Sequence, residues 1–190
     1  MQAVLCERIR PGSVACDVGA NVGYFTLLMS RLCGEAGKVL ALEPHAPNLV
    51  YLRRHLDLNR CTNVTVVSAA AGARPGRARF APTHSRWTAR LDPAGELEVE
   101  VVSLDALLAG GTPPLAFIKI DAEGAEVEVL RGAGRLVLEF GPAMVIATHG
   151  REALQQTRQL LAAAGYSTRI LAGDEGIGAC EILALPPGRH

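Results

Sequence analysis

The sequence is poor in aromatic residues and has no excess of charge of either sign. Phe, Trp and Tyr make up 4% of its 190 residues, and 19 basic residues balance 19 acidic ones to a formal net charge of +0. No run of basic residues occurs. Binding to nucleic acid or to an anionic membrane surface needs concentrated positive charge. We therefore expect neither nucleic acid nor a membrane as a partner.

Long apolar runs and paired cysteines are also missing. No apolar run approaches the roughly 20 residues that span a bilayer, and no charged segment followed by an apolar one opens the chain as in a secretory signal. The five cysteines form no C-x-x-C pair and read as reduced thiols: Cys6, Cys16, Cys33, Cys61 and Cys180. These features predict a soluble cytoplasmic protein.

What the sequence does have is a regular alternation of short apolar runs with helical patterns. At 49% hydrophobic residues, its 190 residues suit one α/β domain with a substantial core. The alternation is typical of βαβ units around a parallel sheet. We predict a Rossmann-like α/β fold, with a mostly parallel seven-stranded sheet, helices on both faces and a closing antiparallel strand. The single domain would span residues 1–190, with its core at about 14–185.

The predicted elements follow this alternation. Strands are expected at residues 14–17, 38–43, 63–68, 115–120 and 142–148, with a final pair at 166–171 and 180–185. Helices are expected at 24–33, from about 49 to 59, at 103–108, at 123–130 and at 152–164. Residues 69–72 are expected to form a loop. Between about 74 and 102, glycines and prolines punctuate short alternating runs, which predicts an antiparallel excursion over the cofactor face.

The stretch at residues 17–23, Asp-Val-Gly-Ala-Asn-Val-Gly, is the most informative motif. It follows an apolar strand and opens an apolar helix, which is the context of a nucleotide-cofactor loop. In a dinucleotide fingerprint the strand leads into G-x-G-x-x-G, whereas here Asp17 leads into G-x-N-x-G, and a carboxylate there would repel a pyrophosphate. The same carboxylate suits an ammonium or sulfonium group, so the loop favours S-adenosylmethionine (SAM) over NAD. An ordinary tight turn at Gly19 and Gly23, and a helix cap by Asn21, remain open alternatives.

Acidic residues follow several predicted strands at the edge where such sheets bind ligands. Glu43 ends the second strand, at the distance from the glycine loop typical of an acid that accepts hydrogen bonds from ribose hydroxyls. Asp121 ends the fourth strand, and Glu123 follows two residues later. A helix-capping or solvated role is the alternative for Glu43, and a helix N-terminal acid is the alternative for Glu123.

These motifs together resemble the FkbM family of SAM-dependent methyltransferases. The family combines D-V-G-A-N-x-G at the first strand with K-x-D-x-E-G-x-E at the fourth, and the second pattern is met by residues 119–126. The resemblance covers about 14–145 and includes the Glu43-Pro44 step. It implies a class I methyltransferase sheet with SAM as methyl donor. It also implies O-methylation of a hydroxyl on a small-molecule acceptor, a sugar or a secondary metabolite.

The resemblance also implies roles for individual positions. Asp17, Gly19, Asn21 and Gly23 would frame the methionine part of SAM, Glu43 would bind the ribose, and the loop from Ser68 to Ala70 would lie at the adenine edge. Asp121 would serve both the cofactor and the reaction. It would face the transferring methyl and the acceptor together with Glu123, and His149 is the third candidate for the base that takes the acceptor's proton.

One position departs from the family pattern. Family members commonly carry an acid two residues before the histidine that ends the fifth strand, and this chain has Ala147 there. The change argues against a metal held by carboxylates and histidine, and we expect none. Only residues 1–13 precede the first strand, so we expect a small acceptor lid or none at that end.

For other polar residues, a structural or surface role without a catalytic function remains an alternative. His149 can be an ordinary histidine at a strand end, and Lys119 a strand residue that reaches the sheet margin. Glu126 and Glu128 are interpreted as solvated helix positions. His84, Arg86 and Trp87 lie in the excursion and could line an acceptor pocket or be scattered surface residues.

Three hypotheses for the whole chain follow. The first is an O-methyltransferase, which the motifs favour. The second is a non-catalytic SAM-binding or interaction module, suggested by Ala147 and the short N-terminal segment. The third is a dinucleotide-dependent oxidoreductase, which Asp17 and Asn21 disfavour.

Overall fold

The computed structural model describes residues 1–82, 89–91, 95, 97–109 and 115–188. The helices are α1 Gln2–Arg8, α2 Tyr24–Cys33, α3 Ala46–Leu58, α4 Leu104–Leu107, α5 Glu126–Arg131, α6 Gly134–Phe140 and α7 Arg151–Ala163. The strands are β1 Val14–Val18, β2 Lys38–Leu42, β3 Val64–Val67, β4 Ala70–Ala71, β5 Gly76–Pro82, β6 Ala89–Leu91, β7 Leu97–Val102, β8 Phe117–Ile120, β9 Ala143–His149, β10 Ser167–Asp174 and β11 Ala179–Leu185.

Seven of these strands form the main sheet, in the order β10-β11-β9-β8-β1-β2-β3. The pairs from β9 to β3 are all parallel, while β11 runs antiparallel to both β9 and β10. The predicted fold class is confirmed. The chain passes from β1 to β2 on one side and returns to β8 on the other, so the strand order reverses at β1. Ligands bind beyond the carboxyl ends of the strands at such a point.

Four further strands form a second sheet in the order β4-β7-β5-β6. The strands β5 and β7 pair antiparallel, as expected for the excursion. Residues 70 and 71, expected in a loop, instead form β4, which pairs parallel with the end of β7. His84, Arg86 and Trp87 lie outside the described residues, and so does any role they have in an acceptor pocket.

Apolar side chains cover both faces of the main sheet. Ile118 and Ile120 of β8 point into a cluster with α5, α6 and α7, whereas Phe117 faces a cluster that includes α1 and α2. The alternation along β8 is the period of two that a strand imposes on its side chains. Leu5 of α1 is fully buried on that second face, which stabilises the fold by about 1.5–3 kcal/mol. Helix α1 therefore packs on this face of the sheet and covers part of it.

One predicted helix begins later than expected. The sequence placed its start at residue 123, but α5 begins at Glu126. Glu123 and Gly124 have φ values of 48° and 100°, in the left-handed region that cannot continue a right-handed helix. Residues 121–125 are therefore a turn, and this turn carries Glu123 to the edge of the sheet. No helix among the described residues has the length and apolar character to cross a membrane.

Candidate functional site

A cavity opens beyond the carboxyl ends of β1, β2 and β8, where the strand order reverses. Its wall is formed by the turns after these strands, by the start of α3, and by β4 and β5 of the second sheet. The lining residues are Val18, Gly19, Asn21, Leu42, Glu43, Pro44, Asn48, Ala69, Ala70, Ala71, Phe80, Asp121, Ala122, Glu123 and Ala125. Six of the predicted site residues lie here: Gly19, Asn21, Glu43, Ala70 and Asp121 from the cofactor set, with Glu123 from the catalytic set.

Gly19 and Gly23, both predicted as cofactor-binding residues, have different structural roles. Gly19 lines the cavity with φ +76°, and a Cβ atom there would lie 1.9 Å from the backbone oxygen of Asp121. Gly19 therefore lets the turns after β1 and β8 approach each other closely. Gly23 lies outside the cavity lining, at the N-cap of α2, and a Cβ there would meet Leu52 at 2.6 Å. Its conformation serves the packing of α2 against α3.

Glu43 is a buried acid of the cavity wall whose carboxylate accepts three hydrogen bonds. Only 5% of this residue is exposed, and its carboxylate accepts hydrogen bonds from the backbone N–H of Asn21 at 2.8 Å and of His45 at 2.9 Å. The Asn48 side chain donates a third at 3.3 Å. Burial raises the pKa of Glu43 above its ordinary value, and the three hydrogen bonds only partly oppose that rise. The contact also fixes the glycine loop to the end of β2.

Asn21 contributes through its backbone. It adopts φ 51°, and its N–H points to Glu43. The N-cap position of α2 is occupied by Gly23 rather than by Asn21. A left-handed Asn is among the few non-glycine residues that tolerate this region.

Asp17 does not line the cavity. It is fully buried at the end of β1, where it accepts a hydrogen bond from Thr26 Oγ1 at 2.7 Å and pairs with Lys119 Nζ at 3.2 Å. The expectation that Asp17 lies beside the charged end of a cofactor has no support in this geometry. Its carboxylate pairs instead with Lys119, which lies directly opposite Asp17 where β1 and β8 run side by side.

Lys119 is likewise buried, with 2% of the residue exposed, so the interpretation as a side chain at the sheet margin is wrong. Besides Asp17, its ammonium donates to the carbonyl oxygen of Gly19 at 3.2 Å and lies 3.7 Å from Asp121 Oδ2. Burial alone would lower the pKa of Lys119, but the charges of Asp17 and Asp121 outweigh it and raise that pKa. The lysine thus ties β1, the glycine loop and the end of β8 together.

Of residues 68–70, the first lies at the surface and the other two line the cavity. Ser68 is exposed, and its hydroxyl accepts a hydrogen bond from Arg53 at 2.9 Å, away from the cavity lining. Ala70 is 6% exposed and lines the cavity with Ala69 and Ala71. The small apolar wall, rather than the serine hydroxyl, faces the cavity.

The three predicted catalytic residues come together: Asp121 and Glu123 line the cavity, and His149 lies against them, outside the cavity lining. Asp121 and Glu123 follow β8, and His149 ends the neighbouring strand β9. His149 Nε2 lies 3.6 Å from Glu123 Oε2 and 4.0 Å from Asp121 Oδ1. Their side chains are 36–38% exposed, so the group can reach both the cavity and solvent. One ligand atom from each residue lies within 4.8 Å of the others, a spacing that can also hold a metal ion.

Glu126 is a functional candidate that sequence reasoning missed. It was interpreted as solvated, yet it is 0% exposed and its Oε1 accepts hydrogen bonds from His149 Nδ1 at 2.8 Å and from Gly124 N–H at 2.9 Å. The helical period held the signal, because Glu126 shares a face with the buried Val129 and Leu130. The Glu128 side chain, by contrast, is 44% exposed and pairs with Arg131, as expected for a solvated position.

The surroundings of His149 favour its charged form. The hydrogen bond to Glu126 raises the pKa of His149 most, burial opposes that rise, and the negative charges of Glu126, Glu123 and Asp121 add to it. The bond at Nδ1 also fixes the orientation of the ring, because it leaves Nε2 directed toward Glu123 and Asp121.

The sequence matches a known protein family over most of its length. Residues 17–168 match the Methyltransferase FkbM domain family. The hexuronic acid methyltransferase AglP of Haloferax volcanii is 26% identical over 170 residues, which cover 88% of this chain and 69% of AglP. The methyltransferase sdnD of Sordaria araneosa is 29% identical over 168 residues, covering 70% of this chain and 64% of sdnD.

Solved structures share the fold. The methyltransferase FkbM of Methylobacillus flagellatus superposes with a TM-score of 0.67 at 21% identity, covering 97% of this chain and 50% of that one. Aeropyrum pernix fibrillarin with bound S-adenosyl-L-methionine superposes with a TM-score of 0.61 at 14% identity, covering 97% of this chain and 72% of fibrillarin. This chain thus spans half the length of the FkbM structure that it matches.

Proposed function

Because the chain belongs to the FkbM methyltransferase family, whose cofactor is SAM, we propose that it transfers the methyl group of SAM to a hydroxyl group of a small molecule. The acceptor class is a sugar or a secondary metabolite. The observation that carries this proposal is one cavity with a buried, hydrogen-bonded Glu43 on one side and Asp121 and Glu123 on the other. A buried acid suited to ribose hydroxyls and groups that can take a proton thus line the same cavity.

The cavity wall offers a partner for each part of SAM. Glu43 accepts hydrogen bonds from the ribose hydroxyls, as acids at this position of dinucleotide-binding sheets do. The alanines at 69–71 and Phe80 give the adenine an apolar surface. Gly19 and Asn21 leave backbone close to the methionine part, and Asp121 adds a negative charge near its ammonium and sulfonium groups.

Asp17 and Gly23 support this site indirectly. Asp17 holds Lys119, which in turn holds the Gly19 carbonyl, so the ion pair positions the glycine loop. Gly23 sets the start of α2 against α3.

The cluster of Asp121, Glu123 and His149 forms the acceptor side of the site. Methyl transfer is an in-line displacement in which the acceptor oxygen forms a bond to the methyl carbon while the carbon–sulfur bond breaks. The hydroxyl proton passes to this cluster, and S-adenosylhomocysteine leaves. The chain's residues need to align the two reactants and to take that proton.

The name of AglP supports a sugar-type acceptor, since that relative is described as acting on hexuronic acid. The second candidate is a SAM-binding module without turnover. Ala147 favours it, because this position two residues before His149 lacks the acid that the family commonly has.

Calorimetric titration with S-adenosylhomocysteine tests the cofactor site without knowledge of the acceptor. We expect micromolar binding by the wild type, strong loss in Glu43→Gln, and no change in Glu152→Gln, an exposed acid on α7. Absence of binding by the folded wild type would contradict the proposal. Transfer of labelled methyl from SAM to a panel of sugars and hydroxylated metabolites then separates the enzyme from the module, since the module binds without any product.

A further inference from the structure

We propose that Asp121, Glu123 and His149 form a binding site for one divalent cation at the acceptor side of the cavity. Binding of the cation stands on the geometry of these residues alone. Its use, to hold and polarise the acceptor hydroxyl, rests on the proposed methyl transfer.

The three donor atoms already have the spacing of a coordination sphere. His149 Nε2 is 3.6 Å from Glu123 Oε2 and 4.0 Å from Asp121 Oδ1, and the three atoms lie within 4.8 Å of one another. Ligands about 2.0–2.2 Å from a metal stand roughly 3–4 Å apart. Small rotations of three partly exposed side chains therefore suffice to close the site. One nitrogen and two carboxylate oxygens suit Mn²⁺, Mg²⁺ or Zn²⁺.

Glu126 supplies an independent reason to expect a ligand at His149. Histidines that bind metals usually donate their other ring N–H to a carboxylate, which fixes the ring and its tautomer. Glu126 does this from a fully buried position, 2.8 Å from His149 Nδ1. Its second oxygen, Oε2, is buried and accepts no hydrogen bond from any described residue. The buried carboxylate thus serves the histidine ring and the turn at Gly124.

With Nδ1–H given to Glu126, Nε2 faces two carboxylates, so the space between these groups suits a positive species, either a proton on Nε2 or a metal ion. The ammonium of Lys119 does not fill this space, because it lies 3.2 Å from Asp17 Oδ1 and 3.7 Å from Asp121 Oδ2, whereas His149 faces Asp121 Oδ1. A divalent cation at Nε2 would satisfy all three donors at once.

Ala147, which argued against a metal in the sequence, removes none of these three ligands, so the proposed site revises that expectation. Ala147 lies two residues before His149 on β9, and therefore on the same face of the strand. An acid there would add a fourth protein ligand, whereas alanine leaves coordination positions to water or to acceptor oxygens. A catalytic metal site keeps such positions open. A cation bound there would take a pair of neighbouring hydroxyls and lower the pKa of the one that reacts.

Mn²⁺ titration followed by electron paramagnetic resonance tests the site, because free Mn²⁺ gives a six-line signal that disappears on binding. We expect one Mn²⁺ per wild-type chain, displaced by excess Mg²⁺ or Zn²⁺. Glu123→Gln removes an exposed ligand without touching the core and should weaken binding at least about 10-fold. Glu126→Gln should weaken it about 10- to 100-fold through the orientation of His149. Glu128→Gln, on the same helix as Glu126 but exposed, is the matched control and should bind as the wild type does.

Two results would overturn the cation site. One is no stoichiometric Mn²⁺ binding by the wild type up to millimolar concentration, and the other is equal binding by wild type and Glu123→Gln. Circular dichroism of each variant checks the fold, and Glu123→Gln carries the test if Glu126→Gln does not fold. Titration of the same samples with S-adenosylhomocysteine keeps the two proposals apart. Cofactor binding without Mn²⁺ overturns the cation site alone, while Mn²⁺ binding without cofactor overturns the methyl transfer alone.

Discussion

Replacement of Lys119 by methionine should be among the most damaging single changes in this protein. The substitution keeps an unbranched side chain of similar length but removes the ammonium from between Asp17 and Asp121. Asp17, which is fully buried, then keeps one hydrogen bond from Thr26 and loses its cationic partner. The turn at Gly19 also loses the donor to its carbonyl oxygen.

The expected loss is about 3–5 kcal/mol in the free energy of unfolding, the usual cost of leaving one charge of a buried pair without its partner. A double variant, Asp17→Asn with Lys119→Met, removes both charges. It should recover a large part of this loss, because a neutral amide costs less to bury than an unpaired carboxylate.

Urea unfolding followed by circular dichroism measures both effects, and Lys38→Met is the matched control. Lys38 is the only other lysine of the sequence and lies exposed at the start of β2. Its replacement should change stability by less than about 0.5 kcal/mol. A loss below about 1 kcal/mol for Lys119→Met, or a double variant less stable than Lys119→Met alone, would refute the ion-pair reasoning.

Four further predictions concern the cofactor cavity, all measured by titration with S-adenosylhomocysteine. Glu43→Gln should weaken binding about 10- to 100-fold, the worth of hydrogen bonds to a charged acceptor. In the wild type, burial holds the pKa of Glu43 above its ordinary value of 4.5. As the pH decreases, the affinity should therefore begin to fall at a higher pH than it would if Glu43 had its ordinary pKa. An unchanged affinity down to pH 4.5 would contradict this. Gly19→Ala should abolish binding because its Cβ would meet backbone at 1.9 Å, whereas Gly12→Ala, also at positive φ but with no neighbour within 4 Å, should bind normally. Ser68→Ala should leave affinity unchanged, and a marked loss would return the serine to the cofactor site.

Local sequence patterns were enough to predict most of the architecture. Helix α2 begins and ends at the predicted residues, and each predicted strand of the main sheet has its observed counterpart within a few residues. The reason is that a strand's apolar run or a helix's stop at glycine depends on neighbours in the chain. Glu43 was recognisable because its distance from the glycine loop is also a feature of sequence.

Contacts between distant segments were beyond those patterns. Nothing near Asp17 in the sequence indicates that β8 places Lys119 opposite it, about 100 residues later, so a buried counter-ion was interpreted as a cofactor ligand. Glu126 was judged by its residue type rather than by its helical face. Glu123 was placed in a helix because the left-handed turn at 123–124 depends on contacts that a helical pattern does not reveal.

The short strand β4 has a mechanical consequence. Ala70 and Ala71 face the cavity and are also paired with Val101 and Val102 at the end of β7, with a further hydrogen bond from Gly72 N–H to the Val102 carbonyl. The antiparallel pair of β5 and β7 therefore cannot shift along the strand direction without either breaking these hydrogen bonds or moving the alanines that line the cavity. A displacement of β7 would thus reach the cavity wall through two residues of strand.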